Sequence, residues 1–322
     1  MEFINNSKYD NHRPLISIVT PVFNRRRTIK RTMKSVAEQS FRDFEFIIVD
    51  DGSEEQIDDI VQPFMDNVDF PVLFIKKENG GVHTARNAGV KASRGEYLFF
   101  LDSDDEIAPN ALSEYVEAWA SIPAGKKDEY REVLALCVDH NGNNIGEEWP
   151  KEINTLPYDE IRRISRGNRA AHVSMMRADI MHVHPWPEAE GVKFVAESLI
   201  WDILSKQYKT WYLNQRLYVY HLETPVSISK QVRKRSIQYC INDLFRYWYY
   251  VNNHRVFQLS LNERITKSFY YCIYCHVLKE NNSFPKTDWA KSGISGLVNN
   301  CIKCILWVPS FFASKVFIKK YM

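Results

Sequence analysis

Two acidic clusters close two apolar runs in the first third of the chain. Asp50-Asp51-Gly52-Ser53 ends the run that starts at Glu45, and Asp102-Ser103-Asp104-Asp105 ends the run that starts at Glu96. Both runs are short and rich in β-branched and aromatic residues, the pattern of strands buried on both faces of a parallel sheet. Carboxylates at their ends then lie at the carboxyl edge, where open α/β sheets bind their ligands. Acidic groups gathered at one edge repel one another, and hard oxygen donors suit Mg²⁺ or Mn²⁺. Asp and Gly also dominate turns, so a single cluster would signal no more than a turn. Two clusters in register at strand ends point instead to a metal-dependent reaction on a nucleotide-linked ligand.

The elements that must carry these clusters are legible around them. Leu15-Ile-Ser-Ile-Val19 reads as a first strand, and Thr20-Pro-Val-Phe-Asn24 ends it in a loop at the same edge. Three amphipathic stretches follow as crossover helices: Ile29, Met33, Val36 and Ala37 share one face, as do Ile57, Ile60, Val61, Phe64 and Met65, and then Leu112, Tyr115, Val116 and Trp119. Between them, Gly80-Gly81 allows close backbone approach to a ligand. Arg86 supplies a cation for phosphate or a stacking plane for a base, although Arg86 and Asn87 could equally cap a following helix.

In order along the chain, Thr20-Pro-Val-Phe-Asn24, Val49-Asp-Asp-Gly-Ser53, Asn79 to Gly89 and Gly95 to Asp105 resemble the successive signatures of glycosyltransferase family 2. The resemblance covers about residues 14–225 and implies a GT-A fold, an α/β architecture with a mixed sheet flanked by helices. A nucleotide-binding half over 14–120 and an acceptor half over 121–225 are expected. It further implies that Pro21 and Val22 line a nucleobase pocket, Asp51 accepts a hydrogen bond from the base, and Asp102 with Ser103 approaches the ribose. Arg86 and Asn87 complete the expected donor set. Asp104 would hold a Mn²⁺ or Mg²⁺ ion bridging the two phosphates, with His221 as a further candidate ligand. Inverting members use a carboxylate base in a Glu-Asp pair, matched here by Glu197 followed by Ser198, a departure from the pattern. Glu197, partly desolvated at the mouth of a helix, is the expected base, with Asp202 or a mere helix cap as alternatives. The implied activity is transfer of a sugar from a nucleoside-diphosphate donor, UDP-linked by expectation, to a glycan or lipid-linked acceptor in capsule, lipopolysaccharide or other surface polysaccharide synthesis. A nucleotidyltransferase would carry a Gly-rich basic loop after the first strand, and Thr20 to Asn24 lacks one. A catalytically silent sugar-nucleotide-binding or scaffold subunit stays open because of Ser198.

Charge changes sign near residue 225. From Val226 to Met322 there are 15 Lys/Arg against 4 Asp/Glu, whereas the whole chain carries only +2. Basic residues such as Lys230 and Arg233 to Arg235 alternate there with aromatic clusters, so 226–322 reads as a mainly helical region facing an anionic membrane surface. The transferase-like core argues against nucleic acid as the partner. The stretch from Cys301 to Ile318 is broken by Lys303, Pro309 and Lys315, too interrupted to span a bilayer and suited to its interface. Cys272/Cys275 and Cys301/Cys304 have zinc-like pairing on paper, but at i and i+3 on helices they equally suit packing. His182-Val-His184 before Pro185 reads as a loop, and His172 as structural. Trp186 and Trp201 read as packing aromatics. Met1 to Arg13 is polar without an apolar h-region, so it reads as a disordered tail of a protein working in the cytoplasm at the inner membrane face.

Overall fold

The computed structural model describes residues 1–9, 12–155, 172–221, 236–294 and 297–321. The chain divides into two compact units, Met1–Pro185 with Leu204–Thr224, and Trp186–Ile203 with Pro225–Met322. The charge boundary near 225 falls within 222–235, outside the described residues, as do Lys230 and Arg233 to Arg235.

The first unit is built on one mixed sheet. Its strands are β1 (Glu2–Asn5), β2 (Ile16–Val22), β3 (Phe44–Asp50), β4 (Val72–Lys76), β5 (Tyr97–Phe100), β6 (Glu106–Ile107), β7 (Tyr130–Asp139), β8 (His172–Arg177) and β9 (Lys209–Tyr220). Their order across the sheet is β1-β4-β3-β2-β5-β8-β7-β9-β6. The central β4, β3, β2 and β5 run parallel, and β2 and β3 are buried throughout, as apolar runs without alternation require. The chain winds from β2 outward through β3 and β4, then returns to place β5 on the other side of β2. This reversal opens a crevice between the carboxyl ends of β2 and β5.

Helices α1 (Ile29–Ala37), α2 (Asp58–Asn67), α3 (Val82–Ala92) and α4 (Ala111–Ser121) cover the sheet. The expected faces are the buried ones: Ile29, Met33 and Val36 of α1, Ile60, Val61 and Met65 of α2, and Leu112, Tyr115 and Trp119 of α4. Three local expectations are corrected. Thr20 to Val22 do not leave the sheet as a loop but continue β2, pairing in register with Ile48 to Asp50. Residues 2–5 are not a disordered tail, because β1 pairs antiparallel with β4 and covers what would otherwise be an open sheet edge. Asn6 fixes that pairing, donating to the Phe70 carbonyl at 2.9 Å and accepting from Val72 N–H at 3.0 Å. The stretch containing His182 is not a loop but a short helix, α5 (Ala178–Val183), whose Ala178, Ile180 and Met181 are buried.

In the second unit, α6 (Ser198–Leu204, its last residue belonging to the first unit) precedes α7 (Ile237–Asn252), α8 (Leu261–Glu280), α9 (Asp288–Ser292) and α10 (Leu297–Tyr321). Ser236 caps α7 by accepting from Tyr239 N–H, and Ser260 with Glu263 forms a reciprocal capping box on α8. Cys240, Leu244 and Val251 of α7 pack with Cys272, Cys275 and Leu278 of α8, and Trp307 and Phe317 of α10 close over them. Segment 186–203 joins this unit through Lys193 N–H to Asn242 at 3.0 Å, Tyr250 Oη to Asp202 at 2.5 Å and Trp289 Nε1 to the Glu190 carbonyl at 3.1 Å. Pro309 does not break α10, although the Ile305 carbonyl loses its usual N–H partner there. Among the described residues, no helix is long and apolar enough to cross a membrane.

Candidate active site

Both acidic clusters reach the crevice edge, and each is held by a different device. Asp51 is 2 % exposed, and its Oδ1 accepts from Lys77 Nζ at 2.5 Å and Gly80 N–H at 3.0 Å. Oδ2 accepts from Gly81 N–H at 2.8 Å and Asn79 Nδ2 at 3.4 Å. A buried carboxylate is tolerated only when so matched by charge and hydrogen bonds. The same contacts shape the loop that starts α3. Gly52, at φ +73°, lies so close to this loop that a Cβ would sit 2.7 Å from Asn79 N. Asn24 ties the neighbouring loop to it, with its N–H on Ser53 Oγ and its Oδ1 accepting from Glu54 N–H, both at 2.9 Å. Pro21 and Val22 are buried at the end of β2, where Val22 pairs in register with Asp50.

Arg86 and Asn87 lie inside α3 rather than ahead of a helix, and α3 itself is absent from the sequence analysis because its Gly-Ala-Asn composition hides the periodicity. That placement sends the Arg86 guanidinium to Asp102 Oδ1 at 3.1 Å. Asp102 and Asp104 keep partial exposure, while Ser103 and Asp105 turn inward and are buried. One face of α1 and its N-terminus grip this turn by its carbonyls: Thr28 Oγ1 donates to Ser103 O at 2.9 Å, Arg31 to Asp104 O, and Thr32 Oγ1 to Asp105 O at 2.7 Å. The spacing i, i+3, i+4 puts all three on one helix face. Arg25 Nε lies 3.4 Å from Asp104 Oδ2.

β9 supplies the other wall. The Tyr218 hydroxyl donates to Asp105 Oδ2 at 3.0 Å and accepts from Asp102 N–H at 3.2 Å. His221 N–H donates to Asp105 Oδ1 at 2.9 Å, so the chain does return His221 to this edge. Its Nε2, however, faces Glu106 Oε2 at 2.5 Å, and its ring stacks on His140 with centroids 5.9 Å apart. Burial pushes the Asp105 carboxyl up to about 7, with the charges of Asp102 and Asp104 adding and the two hydrogen bonds opposing.

Among the described residues, no three His, Cys, Asp or Glu side chains converge as a metal cage. The donor set nevertheless fits Mg²⁺ or Mn²⁺, which usually takes one or two carboxylates and completes its shell with water and substrate phosphates. Asp102 and Asp104 are two such carboxylates, each facing a guanidinium that suits a phosphate equally well.

Glu197 belongs to the second unit. Its carbonyl accepts the N–H groups of Ile200 and Trp201, the position of a helix cap, and its side chain is exposed. The desolvation expected of it is therefore absent in this conformation. Asp202 accepts a hydrogen bond from Tyr250, and Trp186, 2 % exposed, packs edge-on against Trp201. Cys272 and Cys275 are buried free thiols in the α8 core, the thiol of Cys275 pushed up to about 11 by burial. The side chains of Cys301, Cys304 and His172 lie outside the described residues. Arg25, Lys77 and Tyr218 escaped the sequence reading, though Lys77 lies three residues before Gly80-Gly81 and Tyr218 three before His221.

A sheet whose parallel strands end in two acidic clusters at a switch point, with a mixed set of strands completing the far side, is a GT-A glycosyltransferase fold. The Glycosyl transferase family 2 profile matches residues 17–181, and the chain belongs to that family. Among curated relatives, the GalNAc(5)-diNAcBac-PP-undecaprenol beta-1,3-glucosyltransferase of Campylobacter jejuni is 28% identical over 137 residues, 42% of this chain and 42% of that protein. The chain spans less than half the length of the curated relatives it matches first. Among solved structures, residues 1–349 of Staphylococcus aureus TarS in complex with UDP-GlcNAc superpose with a TM-score of 0.51 at 16% identity, covering 95% of this chain and 92% of that one. The mannosyltransferase PcManGT of Pyrobaculum calidifontis, in complex with GDP-Man and Mn2+, gives 0.50 at 12% identity, covering 95% and 84%. At such identities these likenesses show the fold.

Proposed function

We propose that this chain is an inverting glycosyltransferase that moves a sugar from a UDP-linked donor to a glycan or lipid-linked acceptor in surface polysaccharide, capsule or lipopolysaccharide synthesis. The observation that carries it is the convergence of Pro21-Val22, Asp51 and Asp102-Asp104 on the crevice between β2 and β5. Pro21, Val22 and Asp51 receive the base, while Asp102 and Ser103 receive the ribose. Arg25 and Arg86, no longer needed on their carboxylates when a cation binds there, balance the phosphates. Asp104, with Asp102 beside it, would hold a Mn²⁺ or Mg²⁺ ion, which when bound would supply Lewis-acid stabilisation of the departing diphosphate. Glu197 takes the proton of the acceptor hydroxyl as that oxygen attacks the anomeric carbon, and the centre inverts. The C. jejuni relative, whose printed name includes an undecaprenol-linked glycan, supports a lipid-linked acceptor. The neighbours carrying UDP-GlcNAc and GDP-Man with Mn2+ support the nucleotide-sugar and metal parts. Free thiols at Cys137, Cys240, Cys272 and Cys275 suit the reducing cytoplasm, with the enzyme peripheral on the inner membrane face.

A thermal-shift series with UDP-, GDP-, dTDP- and CMP-sugars, each with and without Mn²⁺, tests this reading. One nucleotide class should raise the melting temperature in a metal-dependent way, and Asp104→Ala should abolish that metal dependence together with turnover. Glu197→Gln should retain the donor response and lose transfer. A folded protein indifferent to every donor would refute the transferase reading, and full activity of Glu197→Gln would move the base elsewhere.

A further inference from the structure

Helix α10 is apolar on two opposite sides. Its inner side is accounted for: Ile302, Ser310 and Ser314 are buried, and Trp307 and Phe317 pack on the α8 core. Its outer side carries Ile305, Val308, Phe312 and Val316, which are 74%, 62%, 66% and 67% exposed. Their spacing of three, four and four residues keeps them within an arc of about 80° on a helix of 3.6 residues per turn, so they form one stripe rather than scattered surface residues. An exposed apolar stripe of four large side chains marks a contact surface.

We infer that this stripe is the face by which the chain lies on an anionic bilayer. Three observations select that occupant. First, residues 297–321 contain Lys303, Lys315, Lys319 and Lys320 and no Asp or Glu. A second copy docked face to face would set two positively charged helices without a carboxylate against each other, whereas anionic headgroups answer that charge. Lys315 reaches Glu280 of α8 at 2.6 Å and Lys303 lies over the Tyr271 ring of α8 at 5.9 Å, so these two are already partly engaged within the helical unit. Second, the stripe from Ile305 to Val316 runs only about 16 Å at 1.5 Å per residue, roughly half the hydrocarbon thickness of a bilayer, so it suits lying in the interface plane. Third, the wider segment 226–322 has 15 basic against 4 acidic residues, which adds long-range attraction to the same lipids. This inference rests on the proposal of a membrane-associated acceptor and names the surface that would bring the enzyme to it.

The test is co-sedimentation of the full chain with vesicles of phosphatidylcholine containing one quarter phosphatidylglycerol, and with pure phosphatidylcholine vesicles. The wild type should pellet with the anionic vesicles and be released by raised salt, with at least ten-fold weaker partitioning to the neutral ones. Val308→Glu with Phe312→Glu should lower anionic-vesicle binding at least ten-fold while leaving the UDP-sugar and Mn²⁺ thermal shift unchanged. Should that pair disturb folding, Val316→Ser is the milder variant and should lower binding several-fold. Sedimentation of the glutamate pair equal to wild type overturns the inference, as does failure of folded wild type to bind anionic vesicles. A wild-type dimer that the same pair dissociates also overturns it, since a second copy would then cover the stripe. The donor response is read separately, so a protein that binds vesicles but ignores every sugar nucleotide would sink the transferase reading while the membrane face stood.

Discussion

Adjacent lysines at the end of β4 should differ sharply in what their loss does. Lys77 is 7% exposed against an Asp51 side chain that is 2% exposed, at 2.5 Å. Lys76 points to the other side of the strand and meets Asp58 at 2.7 Å, with the two side chains 27% and 39% exposed. Breaking a buried pair by removing one partner costs about 3–5 kcal/mol, because the remaining charge is stranded. Asp51 keeps the Gly80 and Gly81 N–H groups and Asn79, so Lys77→Met should fall at the low end, about 3 kcal/mol. In a domain of some 200 residues that is a fall of about 6–12 °C in melting temperature. Lys76→Met removes a half-exposed pair worth about 0.5–1 kcal/mol at most. Urea unfolding followed by tryptophan fluorescence gives both values. Adding Asp51→Asn to Lys77→Met should recover part of the loss, since the stranded charge is then gone, giving a coupling of about 2 kcal/mol in the double-mutant cycle. Equal losses for the two lysine variants, within 1 kcal/mol, or strictly additive behaviour in the cycle, would refute the argument that Asp51 is held by buried charge.

Three further outcomes follow from the site geometry. Gly52→Ala places a Cβ 2.7 Å from Asn79 N at a φ of +73°. It should lose about 1–3 kcal/mol, and a wild-type melting curve would contradict that close approach. Tyr218→Phe removes the hydroxyl shared by Asp105 and Asp102 N–H, so stability should drop by about 1–3 kcal/mol and donor affinity with it; unchanged donor binding would mean that the turn holds without β9. Chelator treatment should leave the melting temperature of donor-free protein where it was, because Cys272 and Cys275 serve as core thiols on α8; stoichiometric zinc in purified protein would overturn that assignment.

Much of the nucleotide-binding half was legible from the chain because buried parallel strands and amphipathic helices leave strong periodic signals. Leu15 to Val19 and Glu45 to Asp50 read as strands because β-branched and aromatic residues dominate them, and the carboxylates of the second then fall at its end; Pro21 hid the continuation of the first strand to Val22. The helix carrying Arg86 was missed because Gly89 and the small residues around it pack directly on β2, where a Cβ at Gly89 would meet the Val19 side chain at 2.3 Å. Close packing there replaces an apolar stripe, so the periodic signal is absent. Edge strand β1 was missed for a different reason: four residues are too few for alternation to register, and the anchor is a single Asn6 side chain reaching 59 to 66 residues along the sequence. The partners of the acidic residues, Arg25, Lys77 and Tyr218, are long-range contacts that no local spacing encodes. Glu197 was legible only through the family pattern, and its exposed side chain departs from the desolvated setting expected of it.

Asp51 also has a mechanical role. Its carboxylate fixes the Gly80 and Gly81 amides, Gly81 begins α3, α3 carries Arg86, and Arg86 holds Asp102. The two acidic clusters are thus ends of one continuous series of contacts, already made in the ligand-free chain. With the donor seated as proposed, little ordering remains to be done on docking, so nucleoside, nucleoside monophosphate and nucleoside diphosphate should gain affinity in nearly independent steps. Loosening this series at any joint should be felt at its far end, so that, with the donor seated as proposed, Asp51→Asn on the base side should also weaken the ribose contact of Asp102.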